Sequence, residues 1–271
     1  LPWLSHQRLG GQVLQASLGF EQHAFYLSPI QDNQASVGPK RGGVPVLFPQ
    51  FANLGPGRKH GFARHALWEA IEFDDSSKQA DSCCFYQLSI APYGHDDWPH
   101  TAELRIQTMA SRGLLQMEMQ VLNTGETAFE WTGGLHPYWA VGDLVHCRLY
   151  GLQGATGYDN LAQCKVTQTS EALRWNGKPC EQIYDGCMPL WLDYGSHQLA
   201  LKATGFTQWM VWSPGEEGAR TFTDLPAEDW RRFVCVEPVC ASRPIHLLPG
   251  EKFAGNLSVE LLKMTGKGNN K

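Results

Sequence analysis

Four segments of this sequence place an ionisable side chain among glycine, proline or aromatic residues, where backbone turns and apolar walls can hold it at the mouth of a cleft. They lie far apart in the chain, within residues 41–64, 133–139, 183–186 and 232–238. Their candidate functional side chains are a glutamate, two histidines, an aspartate and two arginines. Such residue types are suited to proton transfer on a small substrate that carries an anionic group.

Glu237 ends an apolar run, Phe-Val-Cys-Val, and is followed at once by Pro238. A proline cannot donate to a strand ladder, so we expect the strand to stop there. A partly desolvated carboxyl group has a raised pKa, which makes it a usable base near neutrality. The alternative interpretation of Glu237 is a structural ion pair or an exposed strand end.

His136 stands in the segment Gly-Gly-Leu-His-Pro-Tyr-Trp, whose two aromatic residues could form the stacking wall of a sugar site. A histidine beside aromatic residues is also commonly a core residue with its hydrogen bonds satisfied, and that alternative stays open. Asp185 belongs to Tyr-Asp-Gly, which by itself indicates an ordinary turn because Asp-Gly is a common turn dipeptide.

Residues 40–65 form a cationic segment in an acidic protein. The chain has 22 Lys and Arg against 27 Asp and Glu, a net charge of −5, yet this segment contains no acid. The planar guanidinium groups of Arg41 and Arg64 suit a carboxylate or a phosphate. The alternative is that a loop rich in proline and glycine carries these charges for solubility alone.

The overall charge provides no global basic field, so we expect neither nucleic acid nor a membrane as a partner. No apolar run approaches the roughly 18–20 residues that span a bilayer, and the N-terminal ten residues do not resemble a signal peptide. The eight cysteines contain no CxxC, and the ten histidines contain no HxH or HxxxH pair. We therefore predict a soluble, cytoplasmic protein with reduced thiols and no metal site.

Glycine and proline recur about every ten residues, and the segments between them are short and often alternate in polarity. Residues 104–109 and 114–122 alternate and are joined by Ser-Arg-Gly, which predicts a β-hairpin. Further strands are predicted over residues 84–90, 144–150, 198–203, 208–212, 232–236 and 257–262. One short helical turn is predicted after Pro226, with Asp224 as its cap. These patterns predict an all-β, antiparallel protein with little helix and a single domain over residues 1–271.

Six blocks of the sequence, in family order and within residues 10–262, resemble the glucose-6-phosphate 1-epimerases, also called hexose-6-phosphate mutarotases, of the aldose 1-epimerase superfamily. The blocks are RGGVPVLFP, HGFAR, GGLHPYW, MVWSPG, DLPAEDW and FVCVEP. The resemblance implies the galactose mutarotase-like fold, a large antiparallel β-sandwich with one open concave face. It also implies interconversion of the α and β anomers of hexose 6-phosphates, chiefly glucose 6-phosphate.

The resemblance assigns the two catalytic roles to His136 and Glu237. Glu237 would remove the proton of the C1 hydroxyl while His136, as imidazolium, gives a proton to the ring oxygen O5. Arg41 and Arg64 would bind the 6-phosphate, a remote group whose binding energy positions C1.

The resemblance implies supporting roles for other residues of the matching blocks. His60 would stabilise charge near O5 or the C1 oxygen, and Asp185 would orient the sugar hydroxyls. Tyr138 or Trp139 would give the sugar ring an apolar wall. No metal or organic cofactor is implied, and the expected partner is a small sugar phosphate bound by a monomer.

The sequence departs from the family after the first block, where Phe-Pro-Gln-Phe-Ala-Asn at residues 48–53 replaces the common Trp-Pro-Trp-Phe-Gly. Two other functions therefore stay open. One is a mutarotase for unphosphorylated aldoses, in which the arginines serve structure. The other is a noncatalytic carbohydrate-binding protein on the same fold. The presence of both His136 and Glu237 argues against the second, since binding alone needs no acid and base pair.

Overall fold

Short strands of alternating polarity make up most of the computed structural model, which describes residues 3–18, 23–30, 39–72, 80–96, 98–195 and 197–263. In chain order the strands are β1 Trp3–Gln7, β2 Gln12–Ser17, β3 Val46–Leu47, β4 Glu69–Ala70, β5 Ser82–Ile90, β6 Ala102–Ser111, β7 Leu114–Asn123, β8 Phe129–Leu135, β9 Tyr138–Ala140, β10 Arg148–Tyr150, β11 Thr156–Asp159, β12 Cys164–Thr167, β13 Ala172–Leu173, β14 Cys180–Asp185, β15 Leu190–Asp193, β16 His197–Thr204, β17 Gln208–Ser213, β18 Phe233–Leu247 and β19 Lys252–Lys263. The helical segments are α1 Gly215–Ala219 and three 3-10 turns at Ala63–His65, Leu144–His146 and Ala227–Arg231.

Two large antiparallel sheets form a sandwich. The first runs in the order β13-β10-β15-β16-β19-β7-β6-β5-β4. The second runs in the order β12-β11-β14-β17-β18-β8-β3, and β9 also pairs with β18. β1 and β2 form a separate two-stranded sheet. The predicted all-β fold with little helix is therefore confirmed.

Strand β18 shows how alternation divides the second sheet into two faces. Val234, Val236 and Cys240 belong to the main apolar core, to which both sheets contribute. Because successive side chains point to opposite faces, Cys235 and Glu237 lie on the other face of the strand. That outer face carries the candidate site.

The predicted hairpin is confirmed, because β6 and β7 pair in continuous register from Ala102 opposite Asn123 to Ser111 opposite Leu114. Within the predicted strand 144–150, only Arg148–Tyr150 is extended. Residues before it form a 3-10 turn, since Asp143 accepts a hydrogen bond from the Val145 N–H and so caps that turn.

Two details predicted within residues 224–238 are wrong, whereas the short helical turn predicted after Pro226 is confirmed. The turn after Pro226 forms as a 3-10 turn, but it has no side-chain cap, and Asp224 forms an ion pair with Arg41 instead. The strand through Glu237 does not stop at Pro238, which lies opposite Trp209 within β18. Pro238 has no N–H to donate, but it lies at the interruption between β8 and β9. The hydrogen-bond ladder between these strands and β18 is already broken there, so the strand can continue.

All eight cysteines are free thiols, and those at positions 84, 147, 235 and 240 are buried, as the composition predicts. Among the helices in the described part of the chain, none is long and apolar enough to cross a membrane. The single domain over residues 1–271 extends beyond the described residues and stays a prediction.

Candidate active site

A cavity of about 420 Å³ opens on the outer face of the second sheet. Its lining residues are Arg41, Phe51, Ala52, Asn53, Lys59, His60, Arg64, His136, Tyr138, Glu181, Met210, Trp212, Phe222 and Glu237. The cavity therefore brings together five of the six predicted site residues, all except Asp185.

The register of the sheet places His136 opposite Glu237. Strand β18 pairs Val239 with Gly134 of β8 and Cys235 with Tyr138 of β9. His136 occupies the interruption between these two strands, at the position that the same register sets against Glu237. Directly opposed residues of antiparallel strands have Cβ atoms about 4.5–5.5 Å apart. The sheet itself thus brings the two side chains together.

Gly134 allows β8 to lie close to β18 immediately before His136. Its φ is +148°, and a Cβ added there would meet the Pro238 carbonyl oxygen at 2.4 Å. Any larger residue would push the two strands apart, because the contact is with backbone rather than with a flexible side chain. This glycine therefore helps to set the distance between His136 and Glu237.

His136 and Glu237 form a buried pair in which Nδ1 lies 3.4 Å from Oε1. The residues are only 8% and 1% exposed. Within the part of the chain that the structure describes, His136 Nδ1 and Glu237 Oε2 have no hydrogen-bond partner. Buried polar groups are nearly always hydrogen-bonded, so these atoms are available to a ligand.

Burial shifts the two pKa values in opposite directions. It raises the pKa of Glu237 well above its ordinary range, and the nearby charge of Glu181 raises it further. Burial lowers the pKa of His136, and the neighbouring His60, Arg64 and Arg41 lower it further. The pair therefore favours one shared proton, on Glu237, beside a neutral imidazole. This differs from the imidazolium form of His136 implied by the family resemblance.

The loop between Pro49 and Gly61 carries His60 over the cavity. Gln50, which is 3% exposed, holds this loop from inside. Its amide NH2 donates to the carbonyl oxygens of Ala52 and Gly57, and its amide oxygen accepts from the Gly57 N–H. The loop is therefore stabilised by hydrogen bonds between its own residues.

His60 is fixed in one tautomer by the same loop. Its backbone has a φ of +66°, and its N–H donates to the Ala52 carbonyl oxygen. Its Nδ1 accepts a hydrogen bond from the Ala52 N–H at 3.1 Å, so the ring proton of neutral His60 is on Nε2. Burial, followed by the charges of Arg64 and Lys59, lowers its pKa to about 3. His60 is thus a neutral hydrogen-bond donor across the physiological pH range.

The two arginines differ in how much of their charge is already paired. Arg41 Nε lies 2.7 Å from Asp224 Oδ1, and its guanidinium carbon lies 4.1 Å above the Phe222 ring. Arg64 NH2 donates to the Lys59 carbonyl oxygen. Its Nε is buried with no partner among the described residues. Arg64 is therefore the better placed of the two to bind an added anion.

Asp185 does not line the cavity. It accepts a hydrogen bond from the Gln208 amide and lies 3.3 Å from Arg243. Its strand, β14, presents Glu181 to the cavity instead. Glu181 is opposite Trp212, whereas Asp185 is opposite Gln208, four residues and about 13 Å farther along the sheet. Glu181 was not predicted from the sequence, although it lies four residues before Asp185 and therefore on the same face of the strand.

The aromatic wall is also divided differently from the sequence prediction. Tyr138 lines the cavity and stacks on His136, with ring centroids 4.8 Å apart. Trp139 is fully buried on the opposite face, where its indole N–H donates to the Val236 carbonyl oxygen. Trp212, at the end of the predicted strand 208–212, is a further aromatic residue that lines the cavity.

A possible metal-ligand set combines two residues that line this cavity with a neighbouring cysteine that does not. Donor atoms of His136, Cys235 and Glu237 lie within 4.8 Å of one another, and all three residues are buried. Cys235 and Glu237 share one face of β18. A search of the sequence for closely spaced histidine pairs could not find this set, because the set contains only one histidine.

Comparison with known proteins agrees with this architecture. A relative from Cenchrus ciliaris, named "putative glucose-6-phosphate 1-epimerase", is 28% identical over 231 residues, which cover 81% of this chain and 69% of the relative. A mutarotase-type structure from Salmonella typhimurium has a TM-score of 0.80 at 21% identity, covering 96% of this chain and 87% of that one. A galactose mutarotase-related structure from Lactobacillus acidophilus has a TM-score of 0.72 at 15% identity, covering 97% and 95%.

The two structural similarities establish the galactose mutarotase-like fold. The family model described as aldose 1-epimerase matches residues 8–260, which include both catalytic candidates and both arginines. The match thus extends over the second sheet and the loops that build the cavity. The chain belongs to the aldose 1-epimerase family, whose members are isomerases that act on sugars.

Proposed function

We propose that this protein interconverts the α and β anomers of a hexose 6-phosphate, chiefly glucose 6-phosphate. The observation that carries the proposal is the buried His136–Glu237 pair in a cavity that also contains Arg64, Arg41 and Lys59. The pair supplies an acid and a base, and the cations supply a site for a phosphate. The names of the relatives point to the same substrate class.

Anomer exchange needs two coupled proton transfers and no net change of atoms. A base removes the proton of the C1 hydroxyl while an acid protonates O5, so the C1–O5 bond breaks and a C1 carbonyl forms. Rotation about C1–C2 then exposes the other face of this carbonyl. Reversal of both proton transfers closes the ring as the other anomer. One pair of groups that exchange roles is sufficient.

The phosphate itself can prepare His136 for its acid role. Arg41 and Arg64 help to lower the pKa of His136. A phosphate dianion bound by these arginines would offset their charge and let that pKa rise. The shared proton could then move from Glu237 to His136, which leaves Glu237 as the base and imidazolium as the acid. A substrate without phosphate would not produce this shift.

The remaining lining residues can position the sugar. His60 would donate its Nε2–H to the C1 oxygen or O5, where negative charge develops. Glu181, rather than Asp185, would accept hydrogen bonds from ring hydroxyls, because it is the acidic residue of β14 that lines the cavity. Tyr138 and Trp212 would pack against the apolar face of the ring.

The main alternative substrate is an unphosphorylated aldose. One observation favours it, namely that Asp224 already pairs with Arg41 and so neutralises one of the two arginines. Arg64 and Lys59 still leave net positive charge at the cavity, and we therefore favour the phosphate. We place the activity in the cytoplasm as a monomer that needs no cofactor, and the eight free thiols support the compartment.

The test is NMR exchange spectroscopy on equilibrated glucose 6-phosphate and, separately, on glucose. We expect the wild-type protein to accelerate α to β exchange for the phosphate far more than for glucose. Glu237→Gln should reduce that acceleration by at least about 10²-fold. Equal acceleration of both sugars would support the free-aldose mutarotase. If neither sugar exchanges but ligands shift protein resonances, the protein is a carbohydrate-binding protein instead.

A further inference from the structure

A buried thiol lies beside the proposed acid and base, although it does not itself line the cavity. Cys235 is fully buried and lies two residues before Glu237 on the same face of β18, while His136 lies opposite Glu237. Donor atoms of the three residues lie within 4.8 Å of one another. Epimerisation uses only two of them, and the proposed chemistry assigns no role to the sulfur.

Two of these three residues present unsatisfied atoms. His136 Nδ1 and Glu237 Oε2 lack hydrogen-bond partners in the described residues, although both residues are more than nine-tenths buried. A hydrogen-bonding sugar could satisfy them, and so could a cation. The neighbouring sulfur favours a cation of a particular kind, because thiolates bind Zn²⁺ and other soft divalent ions in preference to Mg²⁺ or Ca²⁺.

We propose that His136, Cys235 and Glu237 form a site for a thiophilic divalent cation, with Zn²⁺ as its representative, and that the bound ion excludes the sugar. One nitrogen, one sulfur and one oxygen ligand would leave a fourth position for water, as in three-ligand zinc sites. The exclusion of sugar rests on the proposed function, in which His136 and Glu237 act on the substrate. Binding of the ion itself does not rest on it.

The spacing of the donors agrees with one shared ion. Zinc bonds of about 2.0 Å at a tetrahedral angle separate two nitrogen or oxygen donors by about 3.3 Å. The observed distance from His136 Nδ1 to Glu237 Oε1 is 3.4 Å. With a Zn–S bond of about 2.3 Å, the sulfur would lie about 3.5 Å from each of the other two donors. The three donor atoms lie within 4.8 Å of one another.

Charge balance explains why only a cation that binds a thiolate would be held. Arg41, Arg64 and Lys59 line the same cavity and repel any cation that keeps its full charge. When the metal–sulfur bond forms, the S–H bond breaks and its proton passes to solvent. A protonated Glu237 likewise releases its proton. The dication, one thiolate and one carboxylate then have zero net charge.

The first experiment titrates the metal-free protein with Co²⁺, a spectroscopic substitute for Zn²⁺, without sugar. We expect the near-ultraviolet thiolate-to-Co²⁺ charge-transfer band, one equivalent at saturation, and loss of the band when Zn²⁺ is added. Cys235→Ser should abolish the band and weaken Zn²⁺ binding by more than the roughly 10–100-fold that loss of an outer-shell partner costs. Cys240→Ser is the matched control, since Cys240 is equally buried on β18 but lies in the main core.

The proposal fails if the wild type gives no band, or if Cys240→Ser loses the band while Cys235→Ser retains it. Should Cys235→Ser not fold, calorimetry of Zn²⁺ binding to the wild type in two buffers of different ionisation enthalpy provides the second measurement. We expect release of at least one proton per ion. Release of none would exclude a thiolate ligand and overturn the proposal.

The second experiment tests exclusion. Glucose 6-phosphate should raise the apparent Kd for Co²⁺ in proportion to sugar concentration, and Zn²⁺ should inhibit anomer exchange in a manner that a chelator reverses. Unchanged Co²⁺ affinity in saturating sugar would show that the ion does not exclude the sugar. If the metal-free protein does not catalyse exchange, the proposed function fails, while the Co²⁺ titration still tests the metal site.

Discussion

Replacing Arg64 should separate phosphorylated from free sugar more sharply than replacing Arg41. Arg64 lines the cavity with a buried Nε that has no partner in the part of the chain described. A hydrogen bond to a charged group contributes about 1.5–3 kcal/mol. Arg64→Gln should therefore lower kcat/KM for glucose 6-phosphate by about 10- to 150-fold. The residual rate on free glucose should change little.

Arg41→Gln should have a smaller effect because much of the Arg41 charge is already used. Its Nε lies 2.7 Å from Asp224, and Phe222 lies against its guanidinium group. If the variant loses only the free energy that a neutral hydrogen bond contributes, about 0.5–1.5 kcal/mol, kcat/KM for glucose 6-phosphate falls by about 2- to 10-fold. The order of the two variants is thus a direct consequence of the Arg41–Asp224 pair.

The assay is NMR exchange spectroscopy on both sugars, with thermal unfolding to confirm that each variant is folded. Arg58→Gln is the control, because Arg58 belongs to the same cationic segment but pairs with Asp96 and does not line the cavity. It should leave both rates near those of the wild type. The reasoning is refuted if Arg64→Gln slows both sugars equally, or if Arg41→Gln loses more phosphate selectivity than Arg64→Gln.

Further predictions follow from the pair and from the loop. Glu237→Gln should lower kcat by about 10²- to 10⁴-fold, measured by the same exchange assay; wild-type turnover in the variant would exclude Glu237 as the base. The same variant should be more resistant to urea than the wild type at about pH 8 but not at about pH 4. The raised folded-state pKa of Glu237 stabilises the wild type below the unfolded value of 4.5, and this contribution is lost as pH rises through the folded-state pKa. An equal difference in urea resistance at both pH values would contradict this prediction. The pH profile of kcat should be a wide bell, because activity needs one proton on the His136–Glu237 pair. Acid adds a second proton, to His136, and alkali removes the only proton, from Glu237. A profile that falls on only one side would argue against the pair. Gln50→Leu should lower kcat and mix the ring tautomers of His60, as read by ¹⁵N NMR, because it removes three loop hydrogen bonds worth about 1 kcal/mol each; an unchanged tautomer would show that the loop does not need Gln50. Gly61→Ala should unfold the loop, because its φ is +70° and the added Cβ would meet the Phe48 carbonyl oxygen at 2.0 Å; wild-type stability would contradict this steric argument.

Much of the strand architecture is predictable from local pattern. The alternation in β6 and β7, with glycine between them, depends only on the two-residue period of a strand and on turn chemistry. The segment 144–150 was not predictable in this way, because Asp143 caps a 3-10 turn through a side-chain hydrogen bond that competes with extension. Pattern reasoning counts apolar positions and does not weigh that competing bond.

The ion pairing and the protonation of the site residues were harder to predict from the sequence. Arg41 and Asp224 are 183 residues apart, so no local pattern indicates that one neutralises the other. The same holds for His136, whose pKa is lowered by arginines from another segment. The sequence identifies the charged residue types, whereas the distances that decide their protonation arise only from folding.

By itself the sequence determined the all-β class, the alternation of the strands, and the residue types of the proposed acid, the proposed base and the cationic loop. These depend on side-chain chemistry and on neighbours within a few positions. Only the tertiary structure decided which residues of each strand meet. The register of β18 against β8 and β9 sets His136 opposite Glu237, and the register of β14 against β17 brings Glu181 rather than Asp185 to the cavity. A strand face repeats every two residues, so local pattern cannot choose among equivalent positions, and long-range pairing makes that choice.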